Sequence, residues 1–197
     1  MLNNQWAGRR VAQSDRESDL NLLFVCTGNI CRSPTAERLA AAYGVDRQIP
    51  NFVSASAGTR AVVAHPMHRD AALVLRGLGG DASAFAARQL NFKIAAAADL
   101  ILTMTREHRD KVLELAPHKL HRTFTLVEAG RLASEFNPRR VEELSAFRPQ
   151  LRTHELLDIA DPIDQGVEEF SRVGAQIADL LPPILELCRQ SSEKSAD

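Results

Sequence analysis

Residues 22–34 have the sequence LLFVCTGNICRSP. The four leading apolar residues predict a strand that is buried on both faces of a sheet. Ser33 is a good helix N-cap, and Pro34 has the fixed φ that suits the first helical position, so we expect a helix to begin here. A seven-residue loop, which starts at Cys26 and reaches Arg32, therefore joins a buried strand directly to a helix.

This loop has the composition of an anion-binding cradle. Backbone N–H groups at a helix N-terminus attract negative charge, and the helix dipole strengthens the attraction. Gly28 permits unusual backbone angles, and the planar fork of Arg32 matches two oxygens of a phosphate. The Gly-Lys-Ser/Thr ending of nucleotide-binding loops is absent. We therefore expect a phosphate site built from consecutive residues, namely Thr27, Gly28, Asn29, Ile30, Cys31, Arg32 and Ser33.

Cys26 is the candidate nucleophile of the loop. A cysteine beside a helix N-terminus and a cation loses its proton readily, so we expect a thiolate at neutral pH. Asn29 and Ser33 are candidates for fixing the loop and for a hydrogen bond to the Cys26 sulfur. Together these residues predict an enzyme that handles phosphate.

Strand and helix patterns alternate along the rest of the chain, which predicts βαβ units with right-handed crossovers. We expect an α/β three-layer sandwich in which a four-stranded parallel sheet has helices on both faces and the phosphate-binding loop follows strand 1. Gly44 is expected to end the first helix, and Asn91 and Thr105 are candidate caps. The predicted strands are 21–26, 51–57, 99–104 and 123–127, and the predicted helices are 33–43, 66–76, 84–98, 106–116 and 167–181, the last broken or kinked at Pro182-Pro183 with a further turn to Cys188.

Length and composition indicate one domain. The 197 residues suffice for one substantial core, and we expect a flexible N-terminal extension at 1–18, a single domain at 19–188 and a polar tail at 189–197. The net charge of -1 gives no sign of a nucleic-acid binder. No apolar run reaches the roughly 18 residues of a membrane span, so no membrane insertion is expected. The absence of a secretory signal and of a disulfide framework favours a reducing cytoplasm, and the oligomeric state is left open.

The stretch CTGNICRSPTAE at 26–37 closely resembles the signature of the low-molecular-weight protein tyrosine phosphatase family. Three later stretches agree with the family in order: SAGT at 56–59, DLILTMT at 99–105 and Asp161-Pro162. The resemblance covers roughly residues 20–187 and implies that residues 19–188 form a single phosphatase domain.

The resemblance implies a mechanism for the hydrolysis of a phosphorylated protein. Cys26 attacks phosphorus and forms a cysteinyl-phosphate, while Arg32 holds the phosphate oxygens. The Asp-Pro match gives the role of general acid, and later of base, to Asp161. From the residues alone Asp158 and Asp164 are rivals, because all three lie in one loop region. The family needs no metal and no cofactor.

Two entrance positions depart from the family pattern. The family usually has an aromatic residue directly after Asp-Pro, where this chain has Ile163. It often has another in the loop that corresponds to 59–65, where this chain has none. Such aromatics flank the substrate's ring, so the departure bears on the preference for phosphotyrosine and not on phosphate-ester chemistry.

Three alternatives are left open. A related protein-arginine phosphatase carries Thr at the position of Ile30, so Ile30 favours the tyrosine class. The thioredoxin-linked arsenate reductases share the loop but need two further cysteines close together, and only Cys188 remains here. A phosphate- or partner-binding module without turnover would need Arg32 but neither Cys26 nor Asp161.

Cys31 has two interpretations. As a redox partner it would form a disulfide with Cys26 and protect that thiol from over-oxidation. Alternatively, it is a small buried residue at the start of the helix. Residues 129–158, which Asn137-Pro138 and Arg148-Pro149 punctuate, could form a lid over the site.

Overall fold

The structure is a computed structural model that describes residues 20–152 and 158–193. The predicted extension at 1–18 and residues 194–197 of the predicted tail lie outside these ranges. No helix in the described ranges is both long enough and apolar enough to span a membrane.

Four parallel strands form one sheet in the order β2-β1-β3-β4, which confirms the predicted fold class. The first crossover leads from β1 to β2 on one side of it. The next leads from β2 back past β1 to β3 on the other side, so the direction of the strand order reverses at β1. Ligands of open parallel sheets bind at such a switch point, beyond the carboxyl ends of the strands. The strands are β1 Leu20–Cys26, β2 Phe52–Gly58, β3 Leu100–Thr103 and β4 Thr123–Thr125.

Helices cover both faces of the sheet. Leu22 and Phe24 of β1 face the larger core, which is covered by α1, α2, α5 and α7, whereas Leu23 and Val25 face a smaller core under α3 and α4. The helices are α1 Arg32–Asp46, α2 Arg69–Gly77, α3 Phe92–Ala97, α4 Arg106–Leu115, α5 Leu126–Phe136, α6 Leu144–Phe147 and α7 Val167–Glu193.

Both predicted ends of α1 are wrong. Cys31, not Ser33, occupies the N-cap position, and no side chain there bonds the first turn. Gly44 lies inside the helix, which continues to Asp46. A Cβ atom at Gly44 would come within 2.6 Å of the Phe52 ring, so this glycine permits close packing on β2 and does not end the helix.

The helix predicted over 84–98 is restricted to α3. The first half of the predicted helix is extended backbone instead. There the Ala87 N–H donates to His65 O and the Ala87 carbonyl accepts from Ala64 N, both at 2.8 Å. Asn91 caps the shorter helix by accepting from Ile94 N, as predicted. Alanine-rich composition favours helix only weakly, and these tertiary hydrogen bonds override it.

Two further helix boundaries and one strand boundary differ from the prediction. Helix α2 begins at Arg69 rather than at 66, after the cap residue His68. Strand β4 ends at Thr125, which caps α5 in a capping box with Glu128. Helix α7 continues through Pro182-Pro183 and reaches residue 193, because buried residues on both sides of the prolines keep it packed.

Candidate active site

Cys26 is the last residue of β1 and lies at the start of the candidate phosphate-binding loop, residues 26–33. Its side chain is 2% exposed, and its Sγ atom lies 2.9 Å from Ser33 Oγ. This contact was predicted for Ser33, whereas the predicted role of Ser33 as the cap of α1 is wrong.

Asn29 fixes the shape of the loop from inside. It is fully buried and has a left-handed φ of 56°, which asparagine tolerates better than most residues. Its Nδ2 atom donates to Ser33 Oγ at 2.9 Å and to Ser56 Oγ at 2.7 Å. Its Oδ1 atom accepts from Arg88 N at 2.8 Å, so all three contacts agree on the orientation of the amide.

The carbonyl groups of the loop bond to residues outside it. Thr59 N donates to Cys26 O, Arg60 N to Thr27 O and Val62 N to Gly28 O, at 2.9–3.0 Å. His68 N donates to Ile30 O at 2.7 Å. By contrast, no backbone N–H of residues 27–31 donates to a protein acceptor within the described ranges. This division leaves those N–H groups available to an anion, and anion binding by them stays a prediction.

Arg32 lies at the end of the loop and is 4% exposed. One terminal nitrogen donates to Ile159 O at 3.1 Å, and the other donates to the Asp161 carboxylate. Its Nε atom is buried and has no hydrogen-bond partner in the part of the chain that the structure describes. A buried N–H without a partner costs free energy, and a phosphate oxygen would supply the missing acceptor.

Of the three candidate acids, only Asp161 contacts Arg32. Its side chain is 46% exposed, and its second carboxylate oxygen accepts from Ile163 N at 3.3 Å. Asp158 instead accepts from Arg106 N at 2.9 Å and pairs with the side chain of that arginine at the start of α4. Asp164 is exposed and has a left-handed φ of 64°.

His108 is a neighbour of the loop that the sequence did not single out. Its Nε2 atom lies 2.8 Å from Thr27 Oγ1, and its Nδ1 atom lies 2.8 Å from Thr105 Oγ1. Burial, followed by the positive charge of Arg32, lowers the pKa of His108 to about 4. The imidazole is thus neutral at pH 7. The sequence could have indicated His108, because this residue lies in the first turn of the helix that follows the carboxyl end of β3.

The two other cysteines are buried free thiols. Burial and then the charge of Cys26 raise the pKa of Cys31 to about 12, so Cys31 is protonated at neutral pH. Cys188 is fully buried in α7, and burial raises its pKa as well. The described residues contain no cluster of three or more His, Cys, Asp or Glu side chains that could hold a metal ion.

Sequence comparison places these residues among known relatives. The model of the family "Low molecular weight phosphotyrosine protein phosphatase" matches residues 21–134. The low molecular weight protein-tyrosine-phosphatase Etp of Escherichia coli K12 is 40% identical over 97 residues, which are 49% of this chain and 62% of that protein. The corresponding Ptp of Acinetobacter johnsonii is 34% identical over 106 residues, or 54% and 71% of the two chains. The match to Etp thus covers less than two thirds of that relative's length.

Solved structures share the fold over most of the chain. The low molecular weight protein tyrosine phosphatase from T. tengcongensis superimposes with a TM-score of 0.69 and 26% identity, over 85% of this chain and 99% of that one. The YwlE arginine phosphatase from Geobacillus stearothermophilus superimposes with a TM-score of 0.66 and 28% identity, over 85% and 91% of the two chains.

Proposed function

Because the chain belongs to the low molecular weight phosphotyrosine protein phosphatase family, we propose that it hydrolyses phosphate monoesters on proteins, phosphotyrosine above all, through a cysteinyl-phosphate. One observation carries the proposal: a buried cysteine contacts a hydroxyl group at the start of a loop whose N–H groups and Arg32 Nε have no acceptor among residues 20–152 and 158–193. A binding module needs those donors but has no use for a positioned thiol.

In the first step the Cys26 thiolate attacks phosphorus. The S–P bond forms and the ester P–O bond breaks, while the loop N–H groups and Arg32 hold the three other oxygens. Asp161, which takes up a proton from solvent when its carboxylate leaves Arg32, gives that proton to the departing oxygen. To do so its carboxyl group turns from Arg32 towards the leaving group, which its half-exposed position permits.

In the second step water attacks phosphorus and the S–P bond breaks. Asp161 takes the proton of the water, and inorganic phosphate leaves. The Ser33 hydroxyl donates to the sulfur as the thiolate is restored. These residues supply a nucleophile, an acid and anion stabilisation without a metal.

Hydrolysis of para-nitrophenyl phosphate tests the proposal. We expect turnover by the wild-type protein and none by Cys26→Ser, with both binding inorganic phosphate in calorimetry. A wild-type protein that binds phosphate but is as inert as Cys26→Ser would instead establish the binding-module alternative.

Protein-arginine phosphatase activity is the second candidate, because one of the structural relatives has this activity and the entrance is aliphatic. Val62 lies over Gly28 and Ile163 follows the Asp-Pro pair, whereas Ile30 favours phosphotyrosine. Rates on matched phosphotyrosine and phosphoarginine peptides decide between the two. An arsenate reductase relay is disfavoured, since the remaining cysteine, Cys188, is fully buried.

The proposed substrate is a phosphorylated protein and the proposed compartment is the cytoplasm. A reducing environment suits the three free thiols of the chain. That the protein binds no nucleic acid stays a prediction.

A further inference from the structure

A chain of buried side chains connects the Cys26 sulfur to a carboxylate on α1. Cys26 contacts Ser33 at 2.9 Å, and Asn29 bridges Ser33 and Ser56. The Ser56 hydroxyl, on β2, then donates to Glu37 Oε2. The last two residues of this chain were not among the predicted site residues.

The donors are set at three of the four hydrogen bonds of this chain. Because Asn29 Oδ1 accepts from Arg88 N, its Nδ2 group is the donor towards both serines. A hydroxyl has a single hydrogen to donate. Ser56 accepts from Asn29 and gives its hydrogen to Glu37, while Ser33 accepts from Asn29 and has its own hydrogen to donate to the Cys26 sulfur when that sulfur is a thiolate.

The Glu37 carboxylate is mostly buried and accepts a hydrogen bond from inside the protein. Its side chain is 17% exposed, and Ser56 is its hydrogen-bond donor among the described residues. Arg38 Nε lies 3.7 Å from Glu37 Oε1, which is too long for a hydrogen bond. Burial raises the pKa of Glu37, and the Ser56 hydrogen bond together with the charges of Arg38 and Arg88 opposes that rise.

We propose that Glu37 is a positioning residue for Cys26: as the final acceptor it orients Ser56 and Asn29, and through them it holds the Ser33 hydroxyl on the sulfur. A hydrogen bond to a thiolate favours the charged form. The same bond assists departure of the sulfur in the second step. The benefit to turnover rests on the proposed function, whereas the effect on the thiol does not.

Alkylation of Cys26 by iodoacetamide tests this role without any turnover. The rate is measured against pH, with Cys26→Ser identifying any reaction at other thiols. Glu37→Met keeps the side-chain length but removes the acceptor, and we expect the midpoint of the alkylation profile to rise by roughly half a pH unit. That shift is about a threefold change in the thiol–thiolate equilibrium. We expect kcat on para-nitrophenyl phosphate to fall by about the same factor.

Two companion variants separate positioning from a general loss of structure. Glu37→Gln retains an acceptor oxygen and should restore the wild-type midpoint. Ser56→Ala breaks the same chain, so the double variant Glu37→Met/Ser56→Ala should shift the midpoint no further than Ser56→Ala alone. Glu135→Met, which removes an exposed carboxylate on α5, is the matched control. If Glu37→Met does not fold, Glu37→Leu replaces it.

An unchanged midpoint in folded Glu37→Met would overturn the proposal, as would shifts from Glu37→Met and Ser56→Ala that add in full. The proposed phosphatase function and the proposed role of Glu37 can be contradicted independently of each other. A wild-type protein without phosphatase activity that still shows the Glu37-dependent midpoint contradicts the proposed function alone.

Discussion

Arg32 divides its donors between the protein and the site. A guanidinium has five N–H groups, and the observed contacts use one towards Ile159 and one towards Asp161. The Nε–H group remains for a phosphate oxygen. An incoming phosphate also competes with the Asp161 carboxylate for the same guanidinium. Phosphate binding would therefore release the proposed acid at the moment it is needed.

Asp161→Asn tests that role at the scale of one side chain. The amide still accepts from Arg32 but has no proton to give. We expect kcat to fall about a hundredfold with phenyl phosphate, whose leaving group is poor, and much less with para-nitrophenyl phosphate. Asp158→Asn and Asp164→Asn serve as controls. If Asp158→Asn shows this dependence on the leaving group instead, then Asp158 and not Asp161 is the general acid.

Two single residues, Ser33 and His108, show which parts of the site the sequence could predict. The helix cap predicted at Ser33 is wrong, whereas the predicted contact of its hydroxyl with the Cys26 sulfur is confirmed. His108 carries no pattern of its own and becomes significant only because β1 and β3 are adjacent. Local propensity identifies what a side chain can do, but the sheet order decides which partner it meets.

At the scale of elements, Arg148 ties the stretch after α5 to the edge of the sheet. Its guanidinium donates to Glu128 and to Thr123 O, both at 2.6 Å, and lies 4.1 Å from the centre of the Phe124 ring. Glu128 is almost fully buried and also completes the capping box of α5 with Thr125. The anchor is on β4, and β3 separates it from the strand that carries Cys26.

Arg148→Met should therefore lower stability without changing catalysis. Removing one partner of a buried ion pair leaves the Glu128 charge without its main partner and costs about 3 kcal/mol of unfolding free energy. The double variant Glu128→Gln/Arg148→Met should cost less than the sum of the single losses. Urea unfolding measures each value. A loss below about 0.5 kcal/mol in Arg148→Met would assign this pair to ordinary surface contacts.

The elements that sequence predicted best are those whose signal is local. Continuous apolar runs located β1 and β3, and Asn91 and Thr105 cap the helices that they were expected to cap. The helix predicted over the alanine-rich residues before Asn91 does not form, because the backbone there pairs with residues 64–65, about twenty positions earlier. Such long-range pairing leaves no periodic trace in the sequence.

At the scale of the whole molecule, the sequence pattern predicts the layers of the fold, whereas contacts between residues far apart in the chain follow only from the folded structure. The alternation of elements implies a parallel sheet covered on both faces, and the order β2-β1-β3-β4 brings the loops after β1, β2 and β3 together. The contact of Asp161 with Arg32 depends on the return of the chain before α7, across 129 residues. No spacing rule encodes that distance.

The buried imidazole of His108 predicts how global stability depends on pH. Its pKa is about 4 in the folded protein and ordinarily 6.5, so the unfolded chain binds more protons between these values. This contribution is therefore complete above pH 6.5 and is lost as the pH falls towards 4, by up to ~3 kcal/mol.

Urea unfolding of the wild type and of His108→Gln, at pH 4.5 and pH 7, measures this contribution. The variant should lose less stability between the two pH values than the wild type does. Equal losses in the two proteins would show that other groups govern the acid side of the profile.

The outward bonding of the loop carbonyls at Cys26, Thr27, Gly28 and Ile30 bears on the kinetics of substrate capture. Because neighbouring residues already hold this backbone, little chain entropy remains to be lost when an anion arrives. The association rate should then be set by diffusive encounter and by dehydration of the phosphate. Slow steps of turnover would lie after capture, in the bond changes or in the turn of the Asp161 carboxyl group.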